Sequence, residues 1–174
     1  MKKLPTAVFA KDLVALRSIC QAGRGRAGQV LLRDGRSLLD PRRVSSLVEA
    51  LARHFAVDLV ALRQRCGQFL HRRNFLPLPL AADMVLVPLA LGRCGERTGY
   101  VNLLSVKAAS PMDKFSKVEV EGGRVLETEI SLATVHNRFV QAQLALRELE
   151  VRGMGFHDQG LQQRLELIRA LTER

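Results

Sequence analysis

Apolar positions recur at helical spacing over residues 40–73 and predict two short helices. Asp40 is suited to cap the first helix, with Pro41 at its first position, where the missing N–H of proline costs nothing. Asp58 is suited to cap the second helix after a link of about three residues, as in helix-turn-helix arrangements. The inward positions are apolar in both helices: Val44, Leu47, Val48, Leu51 and Phe55 in the first, and Leu59, Leu62 and Cys66 in the second.

Strand patterns occupy much of the remaining chain. The sequence QVLLRDGRSLL predicts a hairpin around Asp34-Gly35, and KVEVEGGRVLETEI predicts a second hairpin around Gly122-Gly123 whose glutamates face solvent. The runs MVLVPLA and YVNLLSV predict buried strands on either side of the polar loop Gly92–Gly99, which is a candidate binding tip. Residues 13–19 fit either a strand or a short helix, and a flexible basic stretch, residues 21–28, follows them.

Two more helices are predicted towards the C-terminus. Ser131 begins one that continues to about Val151 and ends at Gly153 and Gly155. Its apolar positions include Val135, Phe139, Leu144, Leu146 and Leu149. A last amphipathic helix is predicted over residues 159–171, with Leu161, Leu165, Ile168 and Leu171 on one face.

The strands cluster in hairpins and are not separated regularly by crossover helices. The predicted fold class is therefore α+β, a mostly antiparallel sheet built from hairpins with helices packed on it. Residues 1–151 are expected to form one α+β domain. Residues 152–174 are expected to form a helical tail that either packs on its own core or mediates oligomerisation.

The net charge of +10 is unevenly distributed. Residues 1–73 hold 15 Lys and Arg against 5 Asp and Glu, whereas residues 74–174 hold 12 of each. A positive field of this kind attracts polyanions, and phosphate contacts would add affinity by releasing counterions. Only 5% of residues are aromatic and tryptophan is absent, which argues against a stacking platform for single strands. Duplex DNA is therefore the favoured partner.

The basic residues around the two predicted helices are the candidate DNA-binding residues. A corner between the helices would bring onto one surface the side chains of Arg42, Arg43, Arg63, Arg65, His71, Arg72 and Arg73. Two alternatives remain open on charge alone. The basic face could bind an acidic protein partner, as in an adaptor that does not bind DNA, or it could bind structured RNA, because phosphate attraction does not distinguish nucleic acids.

Other function classes lack their characteristic patterns. The three cysteines form no CxxC pair and are expected to be reduced, partly buried residues: Cys20, Cys66 and Cys94. No two histidines have the i, i+4 spacing of metal ligands, and no phosphate-binding glycine loop or nucleophile elbow is present. We therefore expect no enzyme, no metal and no cofactor.

A membrane or secreted location is also not expected. Prolines and Asp83 interrupt the long apolar stretch Leu76–Leu91, so it does not predict a spanning helix. The N-terminal residues do not have the apolar region of a secretory signal. The expected location is the cytoplasm.

The order of these features resembles that of the competence-type (ComK-like) transcription activators across about residues 13–150. The resemblance rests on VSSLVEALARHFAVDLVALR, PLPLAADMVLVPL, YVNLLSV, KVEVEGGRVLETEIS and LATVHNRF. Phe55 and Arg63 fit the family's helical region, whereas its glycine and serines are replaced by Ala56, Val57 and Asp58. Three dipeptides of the family, Pro-Ile, Phe-Pro and Trp-Ile, are similar to Pro77-Leu78, Val87-Pro88 and Tyr100-Val101. The family's Asn-Gly hairpin, which is followed by Ile-Ser, is similar to Gly122-Gly123 followed by Ile130-Ser131.

The resemblance implies a bacterial DNA-binding activator that acts at promoters. In that family, paired A·T-rich boxes are recognised largely through the minor groove, often by an oligomer. Arg63 is the candidate contact that also fits the family pattern.

Overall fold

The computed structural model of the chain describes residues 2–23 and 25–151, apart from the side chain of Val151. The predicted tail, residues 152–174, lies outside the described residues. So do the helix end at Gly153 and Gly155 and the helix over residues 159–171.

Antiparallel strands and three helices form the described fold. The strands are β1 (Leu13–Gln21), β2 (Gly25–Leu32), β3 (Ser37–Asp40), β4 (Leu78–Ala81), β5 (Met84–Ala90), β6 (Thr98–Asn102), β7 (Val106–Met112), β8 (Phe115–Val120) and β9 (Arg124–Thr128). The helices are α1 (Val44–His54), α2 (Leu59–Leu70) and α3 (Leu132–Val151), and short 3-10 turns cover Thr6–Val8 and Leu103–Ser105. Within the described residues, one sheet has the order β3-β2-β1-β6-β5-β4 and the other β7-β8-β9. The predicted α+β class is confirmed.

Different elements cover the two faces of the six-stranded sheet. On one face, α1 and α2 pack on a core that includes Leu16 and Leu86. On the other face, the β7–β9 sheet and the first part of α3 pack on a second core that includes Val87 and Val101. Leu149, near the end of α3, reaches back to the first core. We call the first face the helical side and the second the hairpin side.

Both predicted hairpins are present. Asp34-Gly35 lies in the turn between β2 and β3, and Gly122 and Gly123 close the turn between β8 and β9 with φ angles of +81° and +68°. The alternation of β8 and β9 is also as predicted, with Val118, Val120, Leu126 and Thr128 buried. However, β7 adds a third strand to what was expected to be a two-stranded ribbon.

Two predictions were wrong in detail. Residues 21–28 were expected to be a flexible stretch, but in the described part of it Gln21 ends β1 and β2 begins at Gly25. YVNLLSV is not one strand, since β6 ends at Asn102 and a 3-10 turn leads to the second sheet. The buried Asn102 amide stabilises this exit by accepting from Val85 N–H and donating to the carbonyl of Leu13.

The predicted start of the first helix was also wrong. Asp58 caps α2 as expected and accepts from the N–H groups of Val60 and Ala61. Asp40, in contrast, ends β3 with a fully buried side chain, and α1 begins only at Val44. The Asp40 carboxylate is occupied by Arg42 and by the backbone N–H of Leu4, so it is not available to cap a helix.

The cysteine prediction was wrong for two of the three residues. Cys20, at the end of β1, forms a disulfide with Cys94 in the loop after β5, with a Cα–Cα distance of 5.5 Å. Cys66 is a free, buried residue, and burial raises the pKa of its thiol to about 11. In α3, Leu144 is partly exposed rather than part of the apolar face. The disulfide joins positions separated by 74 residues, a pairing that only the tertiary fold creates.

Candidate nucleic-acid interface

The seven predicted DNA-binding residues do not all have the same role in the fold. Arg42 lies against Asp40, with Nε 2.8 Å from Oδ1 and Nη2 2.7 Å from Oδ2. Its Nη2 also donates to the carbonyl of Leu4. Arg42 is therefore held in a structural ion pair that fixes the N-terminal segment to the end of β3.

The ionisation of this pair follows from its contacts. Burial disfavours the charged carboxylate of Asp40, but hydrogen bonds from the Arg42 guanidinium and from the N–H groups of Leu4 and Arg42 outweigh it. The pKa of Asp40 is therefore below its ordinary value. The hydrogen bond with Asp40 raises the pKa of Arg42 in return.

Arg43 lies beside Arg42 but in a different environment. It is exposed, occupies the N-cap position of α1, and makes no side-chain capping hydrogen bond. The first N–H groups of the helix are satisfied from elsewhere in the chain. Glu96 accepts from Val44 N–H at 3.0 Å and from Ser45 N–H at 3.1 Å. A carboxylate is favourable there because the N-terminus of a helix carries partial positive charge.

A cavity of about 260 Å³ lies beside this helix end. Its lining comes from β1, β2, α1 and the Gly92–Gly99 loop: Ser18, Arg26, Ala27, Arg42, Arg43, Ser45, Gly95 and Glu96. Arg26 was not among the predicted site residues, because its stretch of sequence was interpreted as a flexible link. The alternation of β2 places Arg26 on the same face as Gly28, which lies against Leu47 of α1. The helical side thus brings Arg26 and Arg43 to one cavity.

Arg63 lies close to the same region. It interacts with the phenol of Tyr100, the only tyrosine of the chain, and Glu96 is near the same phenol. Burial raises the pKa of Tyr100, Arg63 opposes that change, and Glu96 adds to it. Arg63 has no carboxylate partner among the residues that the structure describes.

The other predicted residues lie elsewhere along α2. Arg65 lines a groove between α2 and α3 that also contains Glu148. His71 ends α2 in a left-handed conformation, and Arg72 and Arg73 follow it, all three exposed. The predicted residues therefore form three groups: one at the cavity, one in the α2–α3 groove and one after α2.

The group after α2 includes a residue that the sequence analysis missed. Arg138 of α3 is largely buried, donates to the carbonyl of Pro88, and lies 4.3 Å above the ring of Phe75. Burial lowers the pKa of Arg138, and the neighbouring charge of Arg72 lowers it further. The HNRF segment marks this position in the sequence, but only the fold brings it to the end of α2.

On the hairpin side, three arginines are paired with acids, whereas Arg17 donates to the side-chain oxygen of Gln29 and Arg124 to the carbonyl of Gly35. Glu121 lies 2.7 Å from Arg33, Glu127 3.5 Å from Arg93, and Glu129 4.0 Å from Arg97. The glutamates other than Glu121 are exposed, as predicted, but three of the four also hold arginines of the first sheet's loops. We call these three arginines, Arg33, Arg93 and Arg97, the paired arginines.

On the helical side, five arginines have no such ion pair. Among the described residues, no carboxylate lies within ion-pair distance of Arg26, Arg43, Arg63, Arg72 or Arg73. We call these five the unpaired arginines. Their guanidinium groups are therefore not held in ion pairs within the described part of the chain.

The Gly92–Gly99 loop, predicted to be a binding tip, is docked on the first sheet at several points. The disulfide fixes Cys94 to Cys20, and the hydroxyl of Ser18 donates to the carbonyl of Cys94 at 2.6 Å. Arg93 N–H donates to the carbonyl of Ser18 at 3.2 Å. Two residues after Cys94, Glu96 lies on the start of α1. The loop therefore supports the helix end.

Within the described part of the chain, no group of three or more His, Cys, Asp or Glu side chains is arranged to hold a metal ion. No helix of the described residues is long and apolar enough to cross a membrane. Comparisons with models of protein families, with curated proteins and with solved structures gave no match.

Proposed function

We propose that the protein is a DNA-binding transcription regulator of the competence-activator type, which binds duplex promoter DNA through its helical side. One observation carries the proposal: Arg26, Arg43, Arg63, Arg72 and Arg73 of that side form no ion pair among the described residues, whereas Arg33, Arg93 and Arg97 pair with glutamates at the β8–β9 hairpin. A guanidinium already paired with a carboxylate gains little from a phosphate, because the phosphate must displace the acid. Unpaired guanidinium groups supply the counterion release that drives binding.

The proposed contact surface differs in part from the one the sequence predicts. It keeps Arg43, Arg63, Arg72 and Arg73 and adds Arg26. Arg65 and His71 border it as proposed flanking contacts. Arg42 supports the surface through Asp40 and is not proposed to contact DNA.

The resemblance to the competence-type activators implies the kind of DNA site, an A·T-rich promoter element. An A·T-rich minor groove is narrow and strongly negative, and it attracts inserted arginine side chains. We propose that Arg43 and Arg63, on two neighbouring helices, make such groove or phosphate contacts. We also propose that the protein acts in the cytoplasm without enzymatic activity, as a homo-oligomer on paired half-sites.

The test is a fluorescence anisotropy titration of the full chain against duplex promoter DNA of its own operon, at several salt concentrations. The variants are Arg63→Ala and Arg72→Ala/Arg73→Ala, with the paired residue Arg97→Ala as control. Each lost phosphate contact should lower the steepness of the salt dependence by about one unit. A lost groove contact should cost about 1–3 kcal/mol and relax the preference at one position.

Two results would overturn the proposal. One is equal DNA binding by the wild type and all variants, and the other is no binding even at low salt. A structured RNA that competes better than the promoter duplex would favour the RNA alternative. Thermal melting of each variant confirms that a weakened variant is still folded.

A further inference from the structure

The disulfide lies next to the contact that covers the start of α1. Cys20 is exposed and Cys94 half-buried, so the disulfide lies at the protein surface. Exposed disulfides are the ones that reductants can open. Glu96, which follows Cys94 by two residues, holds the N–H groups of Val44 and Ser45.

The carboxylate of Glu96 lies at the position where a negative ligand would be most favourable. It lines the same cavity as Arg26 and Arg43. The oriented N–H groups of α1 and these two guanidinium groups favour an anion, and the chain supplies one from its own loop. A phosphate group of a polyanion therefore competes with Glu96 for this position.

Apart from the disulfide, the contacts of the loop with the rest of the fold are non-covalent. They are part-buried hydrogen bonds to Ser18 and Val44, an exposed hydrogen bond to Ser45, and the exposed ion pairs of Arg93 and Arg97. A hydrogen bond adds about 1 kcal/mol to stability, and exposed ion pairs contribute little. Once the disulfide is opened, only these non-covalent contacts hold the loop at the helix end.

We propose that the Cys20–Cys94 disulfide is a redox-sensitive latch that holds Glu96 over the start of α1 as an autoinhibitory contact. A dithiol reductant opens it: the S–S bond accepts two electrons and two protons, giving two thiols, while the reductant becomes a disulfide. The loop then leaves α1, and Arg26 and Arg43 become accessible to phosphate. This last step rests on the proposed function, whereas the release of the loop does not.

Loop release can be measured without DNA. Tyr100 lies near Glu96, and the chain contains no tryptophan, so tyrosine emission reports on this region alone. A nearby carboxylate quenches tyrosine emission. We expect emission to rise on reduction of the full chain, in step with the loss of the disulfide measured by thiol alkylation and mass spectrometry.

Two variants and a second measurement make this test specific. Cys20→Ser/Cys94→Ser should show the reduced-state emission in any redox buffer, and Cys66→Ser should behave as the wild type. Amide hydrogen exchange of residues 92–99 and of the start of α1 should become faster on reduction. Unchanged emission and exchange on reduction, or free Cys20 and Cys94 after oxidation, would overturn the latch.

The second part of the test measures duplex DNA binding of the oxidised and reduced protein. Reduction should tighten binding by about fivefold, the size of one charge interaction near a helix end. Glu96→Gln should bind as tightly as the reduced wild type without any reductant, and Glu119→Gln, on the hairpin, should not change binding. Equal affinities of the two redox forms would overturn the autoinhibitory role. If no form binds DNA, the proposed function fails, and emission and exchange alone decide whether the latch exists.

Discussion

The two sides of the six-stranded sheet use arginine in opposite ways. On the hairpin side, Glu121, Glu127 and Glu129 form ion pairs with the paired arginines. On the helical side, Arg26, Arg43, Arg63, Arg72 and Arg73 form no ion pair among the described residues. The difference shows that the number of arginines does not by itself determine where unpaired positive charge lies. The positions of the acids decide where the positive field remains.

The charge distribution along the sequence therefore has a different meaning in the folded protein. The sequence places all of the net charge in residues 1–73. In the fold, Arg33 from that part is neutralised by Glu121 of the hairpin. The net charge of a stretch of sequence therefore does not show which of its arginines remain unpaired after folding.

Asp40 and Arg42 form an ion pair on the helical side, and breaking this pair is expected to change the stability of the protein most. The Asp40 side chain is fully buried, and its removal would leave Arg42, which is 18% exposed, without its partner. Breaking such a pair from one side is strongly destabilising. We expect Asp40→Ala to lower the free energy of unfolding by about 3 kcal/mol in urea titrations. Arg43→Ala, one residue further on, should change it by less than about 0.5 kcal/mol.

The Asp40–Arg42 pair also predicts how the stability of the protein depends on pH. The hydrogen bonds of Asp40 lower its pKa in the folded state, so its contribution is fully present above the ordinary carboxyl value of about 4. That contribution is lost as the pH falls through the lower, folded-state pKa. The wild type should therefore lose stability below about pH 4 more steeply than Asp40→Asn. Parallel pH profiles of the two proteins would contradict the structural role of the pair.

The two glycines of the β8–β9 turn test how the hairpin side is docked. A Cβ at Gly122 would lie 2.9 Å from the backbone nitrogen of Gly35 and 3.0 Å from the carbonyl oxygen of Arg33. A Cβ at Gly123 would have no atom within 4 Å. Both residues have positive φ, which costs an alanine about 1 kcal/mol or more.

Gly122→Ala should accordingly destabilise the protein by about 2 kcal/mol or more, and Gly123→Ala by only about 1 kcal/mol. Chemical denaturation of the two variants gives the comparison. Neither change should alter the salt dependence of DNA binding, because the turn lies on the hairpin side. Equal losses of stability would mean that the turn of β8–β9 does not pack on the turn of β2–β3.

The smallest change in stability is expected when the glutamates of the hairpin are replaced. Glu119 is exposed and, among the described residues, has no ion-pair partner. Glu119→Gln should change stability by no more than about 0.5 kcal/mol, as most surface substitutions do. Glu121→Gln should cost slightly more, because Arg33 loses its partner. Loss of DNA binding in Glu119→Gln, with folding intact, would move the functional surface to the hairpin side.

The features that the sequence predicts correctly are local ones. Asp58 caps the helix that follows it directly, and Gly122 and Gly123 form the turn between strands of alternating pattern. Each depends on neighbouring residues, so a short stretch of sequence contains the necessary information.

The features that the sequence does not predict depend on distant partners. Glu96 caps α1 although it lies 52 positions after Val44, and Cys94 forms a disulfide with Cys20, which lies 74 positions before it. Aspartate is a residue type favoured at N-caps, but the carboxylate of Asp40 is occupied by the distant Leu4 and the nearby Arg42. For the same reason, the sequence cannot separate Arg42 from Arg43, or Arg33 from Arg26. Their difference is whether an acid lies beside them after folding.

The most direct test of this account compares two triple variants that carry the same net charge. Arg26→Ala/Arg43→Ala/Arg63→Ala removes three unpaired arginines, and Arg33→Ala/Arg93→Ala/Arg97→Ala removes the three paired ones. The measurement is the slope of the logarithm of the DNA-binding constant against the logarithm of salt concentration. The account predicts that the slope falls by up to about three units in the first variant and stays close to the wild-type value in the second. Equal slopes for the two variants would contradict it, because net charge alone would then explain the binding.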